Sequence, residues 1–294
     1  MNDLQRDRRA QFLLLLVTVI WAANYPLAKY SFVQVDKFVF NAVRYVVAAC
    51  LLAGIYFYRT KRVPLPEGSW SAILRAGVIA NVLYQTAFVI GLSMTSAGNS
   101  AVLLSTSPLW TVFLNAYLHK EKIRSILWLG MAVSLCGVVL IIVGSGKTFE
   151  FGGESLIGDL ICLAGAVLWA FSTNLQKPLL VQNSPLYVAT LMISVGAVGL
   201  SLVAIPAAIE MSWSSVGWTY WVATFASGAL SIGISNVFWS HGVQRLGPGR
   251  TSNFSNLVPV LALFISFITL REELHVLQLL GAAITIGGVW VAQR

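Results

Sequence analysis

Ten apolar stretches run through this chain, each about long enough to cross a bilayer, and the second five repeat the first five. Gly77, Gly91, Gly98, Pro108, Phe113, Glu121, Leu129, Gly130 and Gly137 match Gly228, Gly242, Gly249, Pro259, Phe264, Glu272, Leu280, Gly281 and Gly288, each pair 151 positions apart (259 − 108 = 151). Earlier in each half the offset is 148, pairing Trp21 with Trp169, Ala22 with Ala170 and Lys29 with Lys177. An odd number of spans per half puts the two halves upside down relative to one another in the membrane. The expected fold is therefore all-α and integral to the membrane: ten transmembrane helices as two inverted five-helix repeats, residues 1–146 and 147–294. Secondary transporters are built this way, with the substrate site between the repeats near the midplane.

Composition agrees. The 294 residues are 57% hydrophobic and 10% charged, whereas soluble domains carry about 25% charged residues. A hydrocarbon core of about 30 Å needs roughly 20 apolar residues per helix. The spans are expected at 11–33, 36–58, 71–92, 97–118, 125–144, 156–177, 185–206, 216–243, 249–270 and 275–292. Continuous apolar runs predict helices rather than a barrel, since a spanning backbone must satisfy its polar groups internally.

The net charge of +8 does not point to nucleic acid. With a cytoplasmic N-terminus, fourteen basic residues fall inside; Lys29, Lys37, Lys147 and Arg271 fall outside, and Arg44 lies within the second span. That is the positive-inside bias, so the basicity sets topology and both termini are expected in the cytoplasm. Cys50, Cys136 and Cys162 lie within spans with no paired or metal-binding spacing. No cofactor and no metal is expected.

Polar residues in lipid are costly and normally face a bundle interior or a wet cavity. Here they recur at helical spacing. Span 3 carries Asn81, Tyr84, Gln85 and Phe88 on one face, and its repeat carries Ile232, Ser235, Asn236 and Trp239. Span 1 carries Trp21, Asn24, Tyr25 and Ala28, and its repeat Trp169, Ser172, Thr173 and Gln176. Spans 4 and 9 add Ser105, Pro108 and Trp110, and Asn253, Asn256 and Pro259. The prolines are expected near mid-span, bending each helix and freeing the carbonyls of Leu104 and Ser255. A central cavity lined by these faces is the expectation; helix-to-helix adhesion is the competing one.

Glu121 and Glu272, after spans 4 and 9, are expected as capping residues or gate carboxylates. Lys29 and Arg44 either snorkel to the interface or attract a carboxylate. The aromatic residues could enclose an apolar group or an ammonium, so a zwitterionic or weakly anionic metabolite suits the mixture. Glycines recurring every seven residues in spans 5 and 10 predict close packing within the chain, with a homodimer seam as the alternative. No acid sits at mid-span, which disfavours a proton pump and cationic-drug efflux, and argues against an intramembrane enzyme. A drug or toxin efflux carrier and a non-transporting scaffold or sensor remain as rivals.

The segments TVIWAANYPLAK, RYVVAACLL, SPLWTVFLNAYLHKEKIRSILWLGMAVSLCGVVLI and VPVLALFISFITLREELHVLQLLGAAITIGGVWV resemble the drug/metabolite transporter superfamily, specifically EamA-type exporters with two five-helix units. The resemblance covers nearly the whole chain. It implies a multi-pass bacterial inner-membrane protein exporting amino acids or similar small metabolites by alternating access.

Overall fold

The computed structural model describes residues 3–65, 70–94, 103–120, 122–144, 154–270 and 275–293. Among them there is no strand; the chain is helical throughout. The helices are α1 (Asp3–Ser31), α2 (Lys37–Thr60), α3 (Trp70–Gly77), α4 (Tyr84–Met94), α5 (Ser107–His119), α6 (Ser125–Gly144), α7 (Glu154–Gln182), α8 (Pro185–Glu210), α9 (Trp218–Ser227), α10 (Ser235–Asn253), α11 (Leu257–Leu270) and α12 (Val276–Ala292). Six helical runs among the described residues are long and apolar enough to cross a bilayer, and Val276–Ala292 is a shorter apolar helix. One of the six, Trp218–Ala262, has 45 residues. At 1.5 Å per residue that is roughly twice the ~30 Å a single crossing needs, and the backbone turns within it at Gly247, where φ is 80°.

Local sequence explains where helices begin. Asp36 caps α2 by accepting hydrogen bonds from the amides of Phe38 (2.8 Å) and Val39 (3.3 Å). Ser184 caps α8, accepting from the Tyr187 amide at 3.2 Å, with Pro185 in the first turn. Both follow the usual chemistry of helix starts, where four amides lack an intrahelical acceptor.

The expected mid-span prolines need correction. Pro108 lies in the first turn of α5, after a turn at Thr106, and Pro259 lies in the first turn of α11, after a tight three-residue turn of helix over Phe254–Asn256. The helices are interrupted at both matched places, but each proline starts a new helix instead of bending an old one. Its fixed φ and missing N–H suit that position.

Spans 3 and 8 hold a feature the periodicity does not announce. Between α3 and α4, Val78–Leu83 is a π-helical segment, and between α9 and α10, Gly228–Ile234 is another. The two are repeat mates (78 + 151 = 229; 83 + 151 = 234).

The chain forms two compact units, Met1–Gln85 with Leu175–Arg245, and Thr86–Asn174 with Leu246–Arg294. Each takes helices from both halves of the sequence. In the first unit, α2 packs on α8, the first π segment packs on α8, and the second packs on α2. A Cβ on Gly77 would meet Val195 Cβ at 2.9 Å and the Met192 carbonyl at 3.2 Å; one on Gly228 would meet the Arg44 carbonyl at 2.7 Å. Gly228 is the mate of Gly77 (228 − 77 = 151) and Met192 is the mate of Arg44 (192 − 44 = 148), so the contacts are reciprocal. Tyr56 meets Tyr187 (ring centroids 5.8 Å apart) while Tyr45 meets Gly196, so α2 and α8 run antiparallel.

In the second unit α6 and α12 pack along their length. Added Cβ atoms on Gly130, Gly137 and Gly144 would meet Ala292, Thr285 and Gln278 in turn, and the descending partner numbers mark an antiparallel pair. The mates answer: Gly281 faces Ile141 and Gly288 faces Ser134. The glycines thus let two backbones approach closely within the chain.

Gly137→Ala should lower the thermal midpoint in detergent, because its new Cβ lies 2.5 Å from the Thr285 amide nitrogen; overpacking of this kind costs about 1–3 kcal/mol. Gly287→Ala, with open space around the Cβ, should leave the midpoint unchanged. Equal midpoints for both variants would refute the seam.

Candidate functional site

In the first compact unit the π segments and the helices beside them collect polar and aromatic groups around one cation. Arg44, on α2, is 7% exposed. Its Nη1 donates to Asn41 Oδ1 at 3.0 Å and its Nη2 to Ser231 Oγ at 2.9 Å. The guanidinium carbon lies 4.9 Å from the centre of the Phe40 ring, within cation–π range. Trp21, on α1, donates from Nε1 to the backbone carbonyl of the same Ser231 at 3.1 Å, and its ring lies 5.2 Å from that of Trp239. Trp239 is 1% exposed. One helical turn away, Ser227 donates to Asn24 Oδ1. The second π segment thereby places Ser231 between an indole and a guanidinium.

The first π segment organises a second set. Asn81, 3% exposed, donates from Nδ2 to the Met192 carbonyl at 2.8 Å and accepts from the Tyr45 hydroxyl at 3.1 Å. Gln85, which follows Tyr84 at the start of α4, donates to the same hydroxyl at 3.2 Å. Asn236, by contrast, donates to Ile232 O one turn back in its own helix, at 2.8 Å.

The residues of the second unit behave differently. Asn256 donates to Ser134 Oγ at 2.8 Å; that hydroxyl lies 3.2 Å from Asn253 Oδ1, and Asn253 Nδ2 donates to Val289 O at 3.4 Å. These two asparagines tie the 3₁₀ turn before α11 to α6 and α12, as adhesive polar groups do. Trp110 donates to Thr106 Oγ1 at 3.1 Å, fixing its indole over the turn that precedes Pro108, beside half-buried Ser105. Ser172, fully buried, and Thr173 return their hydroxyls to the Trp169 carbonyl, both at 3.0 Å.

The side chains of Tyr25 and Lys29 lie outside the described residues, as do Glu121 and Glu272. Of the residues predicted from sequence, Trp21, Asn24, Arg44, Asn81, Gln85 and Trp239 fall in hydrogen-bonded or ring contact within one unit. Sequence reasoning missed Asn41, Tyr45, Ser227 and Ser231. Ser227 and Ser231 escaped because a π segment widens the turn and rotates the face of the helix before it. A stripe traced back at regular spacing from Asn236 and Trp239 therefore passes beside them.

Asn81→Ala removes the acceptor of a buried tyrosine hydroxyl, which costs about 1–3 kcal/mol. Its thermal midpoint in detergent should fall clearly below that of Asn236→Ala, whose lost hydrogen bond is local. The reverse order would show that the Asn81–Tyr45 pair contributes nothing.

Comparison with known proteins agrees with this architecture. The family model described as "EamA-like transporter family" matches twice, over residues 8–143 and 156–293. The uncharacterized transporter YyaM of Bacillus subtilis is 29% identical over 286 residues, covering 95% of this chain and 92% of that protein. A protein of Streptantibioticus cattleyicolor named "Probable terminal-alkyne amino-acid exporter" is 26% identical over 292 residues, covering 97% and 94%. An uncharacterized transporter of Archaeoglobus fulgidus is 26% identical, covering 97% of each chain. A solved crystal structure shares the fold with a TM-score of 0.82 at 22% identity, over 97% of this chain and 96% of its own. The chain is a multi-pass membrane protein of the transporter class, and it belongs to the EamA-like transporter family.

Proposed function

We propose that this protein is a secondary transporter that exports amino acids or similar small metabolites by alternating access. Its ten spans form two inverted five-helix repeats, residues 1–146 and 147–294, in a bacterial inner membrane with both termini in the cytoplasm. One observation carries the reading: the helix interruptions come in matched pairs. The π segments Val78–Leu83 and Gly228–Ile234, and the breaks before Pro108 and Pro259, occupy equivalent places in the two halves. Irregular backbone at membrane depth is tolerated only where protein or a water-lined cavity covers it, and paired interruptions are where transporters hold substrate. The antiparallel α2–α8 and α6–α12 pairs, each made of repeat mates, support the inversion. The amino-acid exporter among the relatives supports the substrate class.

In this scheme Trp21, Tyr84 and Trp239 line the pocket, and the polar groups of the π segments exchange partners as the pocket opens to one side and then the other. Replacing each of the three by Ala should abolish counterflow of labelled amino acids in reconstituted vesicles, while yield and membrane insertion stay intact. Normal transport by all three variants would remove the pocket assignment. A panel that includes organic acids, sugars and cationic drugs separates metabolite export from broad efflux.

A further inference from the structure

From the surroundings of Arg44 we infer that this transporter recognises a carboxylate, which pairs with Arg44 while the rest of the substrate rests on the Trp21–Trp239 pair. The inference rests on the export reading above and narrows its substrate class.

A guanidinium is charged at every accessible pH, and a buried cation in a membrane protein is costly unless paired. Here the partners are neutral: an amide oxygen, a hydroxyl and an aromatic face. No carboxylate among the described residues pairs with Arg44. Its Nε–H is buried and meets no acceptor among the described residues. The positive charge is therefore held in place but not neutralised.

A packing role does not explain it, because the fold performs that packing a second time without a charge. The repeat mate of Arg44 is Met192 (192 − 44 = 148). The mate of Ser231 is Ala80 (231 − 80 = 151), and the mate of Asn41 is Ala189 (189 − 41 = 148). Gly228 presses on the Arg44 backbone as Gly77 presses on Met192. At one site the π segment and its neighbouring helix meet through Arg, Ser and Asn; at the other they meet through Met, Ala and Ala. Met192 and Ala189 bury apolar side chains there, and the one polar side chain that meets Met192, Asn81, bonds its backbone carbonyl and carries no charge. The scaffold thus tolerates an apolar set, and the cation has been placed on one side only.

That side also carries the tryptophans. Ser231 accepts from Arg44 through its hydroxyl and from Trp21 through its carbonyl, so the charge and the tilted indole pair share one residue. A carboxylate reaching Arg44 would displace Asn41 or Ser231 and turn a neutral contact into a charge-assisted, fork-shaped one. The unsatisfied Nε–H supplies a third donor.

The test uses wild-type protein in proteoliposomes loaded for counterflow with tritiated L-leucine, L-phenylalanine or L-threonine. The competitors are each amino acid and its primary amide, which keeps the side chain and ammonium but removes the negative charge. The acid should compete about 10- to 100-fold better than the amide, the range one charge-assisted pair supplies. Arg44→Met copies the apolar packing of the opposite site. It should keep its elution profile and thermal midpoint yet lose the preference for acid over amide, and Arg44→Lys should recover part of it. Equal competition by acid and amide in the wild type overturns the inference, with no variant required. So does an unchanged preference in Arg44→Met, or failure of that variant to fold, which would make Arg44 structural. Flux without any preference for acids removes only the role of Arg44; absence of flux for every solute in the panel removes the export reading with it.

Discussion

In a hydrocarbon solvent every backbone N–H and C=O must find a partner in the protein, and this rule governs where the chain can leave regular helix. Among the described residues it leaves it, within the spans, at two π segments and at the turns before Pro108 and Pro259. The π segments are not exposed irregularities. One lies against α8 and the other against α2, and their glycines bring them within backbone contact of those helices. Close approach shields the widened turns and also delivers Asn81 and Ser231 to partners on another helix. Structural necessity and site-building coincide at the same residues.

The glycines do two separate jobs under the same constraint. Along α6 and α12 they form a mostly apolar antiparallel seam in which Ser134, Thr285 and Gln278 are buried and on which two asparagines dock. Dispersion and close packing hold such a pair, because lipid offers no hydrophobic drive between helices. Along α2 and α8 the small residues flank π segments and polar side chains instead. One seam is backbone against backbone; the other surrounds hydrogen-bonded polar side chains. The near-symmetry of the second seam makes its differences informative: a cation on one side, a thioether on the other.

Particular residues show where reading from sequence worked. The span expected at 125–144 coincides with α6, since nothing but an uninterrupted apolar run with small residues was involved. Trp21 and Trp239 were placed on polar-aromatic faces by spacing alone, and they meet. Pro108 and Pro259 were found as matched breaks but read as bends, because a proline in an apolar run does not reveal whether the turn before it is still helical. Asn253 and Asn256 looked like lining residues and are engaged in holding helices, a distinction that depends on which neighbour lies opposite. Ser227 and Ser231 were overlooked because a π turn changes the phase of a helix with no residue to mark it.

The sequence by itself determined that this is a helical membrane protein of two repeats, since hydropathy and duplication are properties of the chain read in one dimension. It also determined that polar groups concentrate in the interrupted spans. Only the tertiary structure decided which of those groups meet, because hydrogen bonds such as Arg44 to Ser231 join residues 187 positions apart. The same holds for the compact units, each assembled from both halves. Contacts across the repeat are set by how helices pack and where a π turn rotates a face, and neither is written in the spacing of residues along one span.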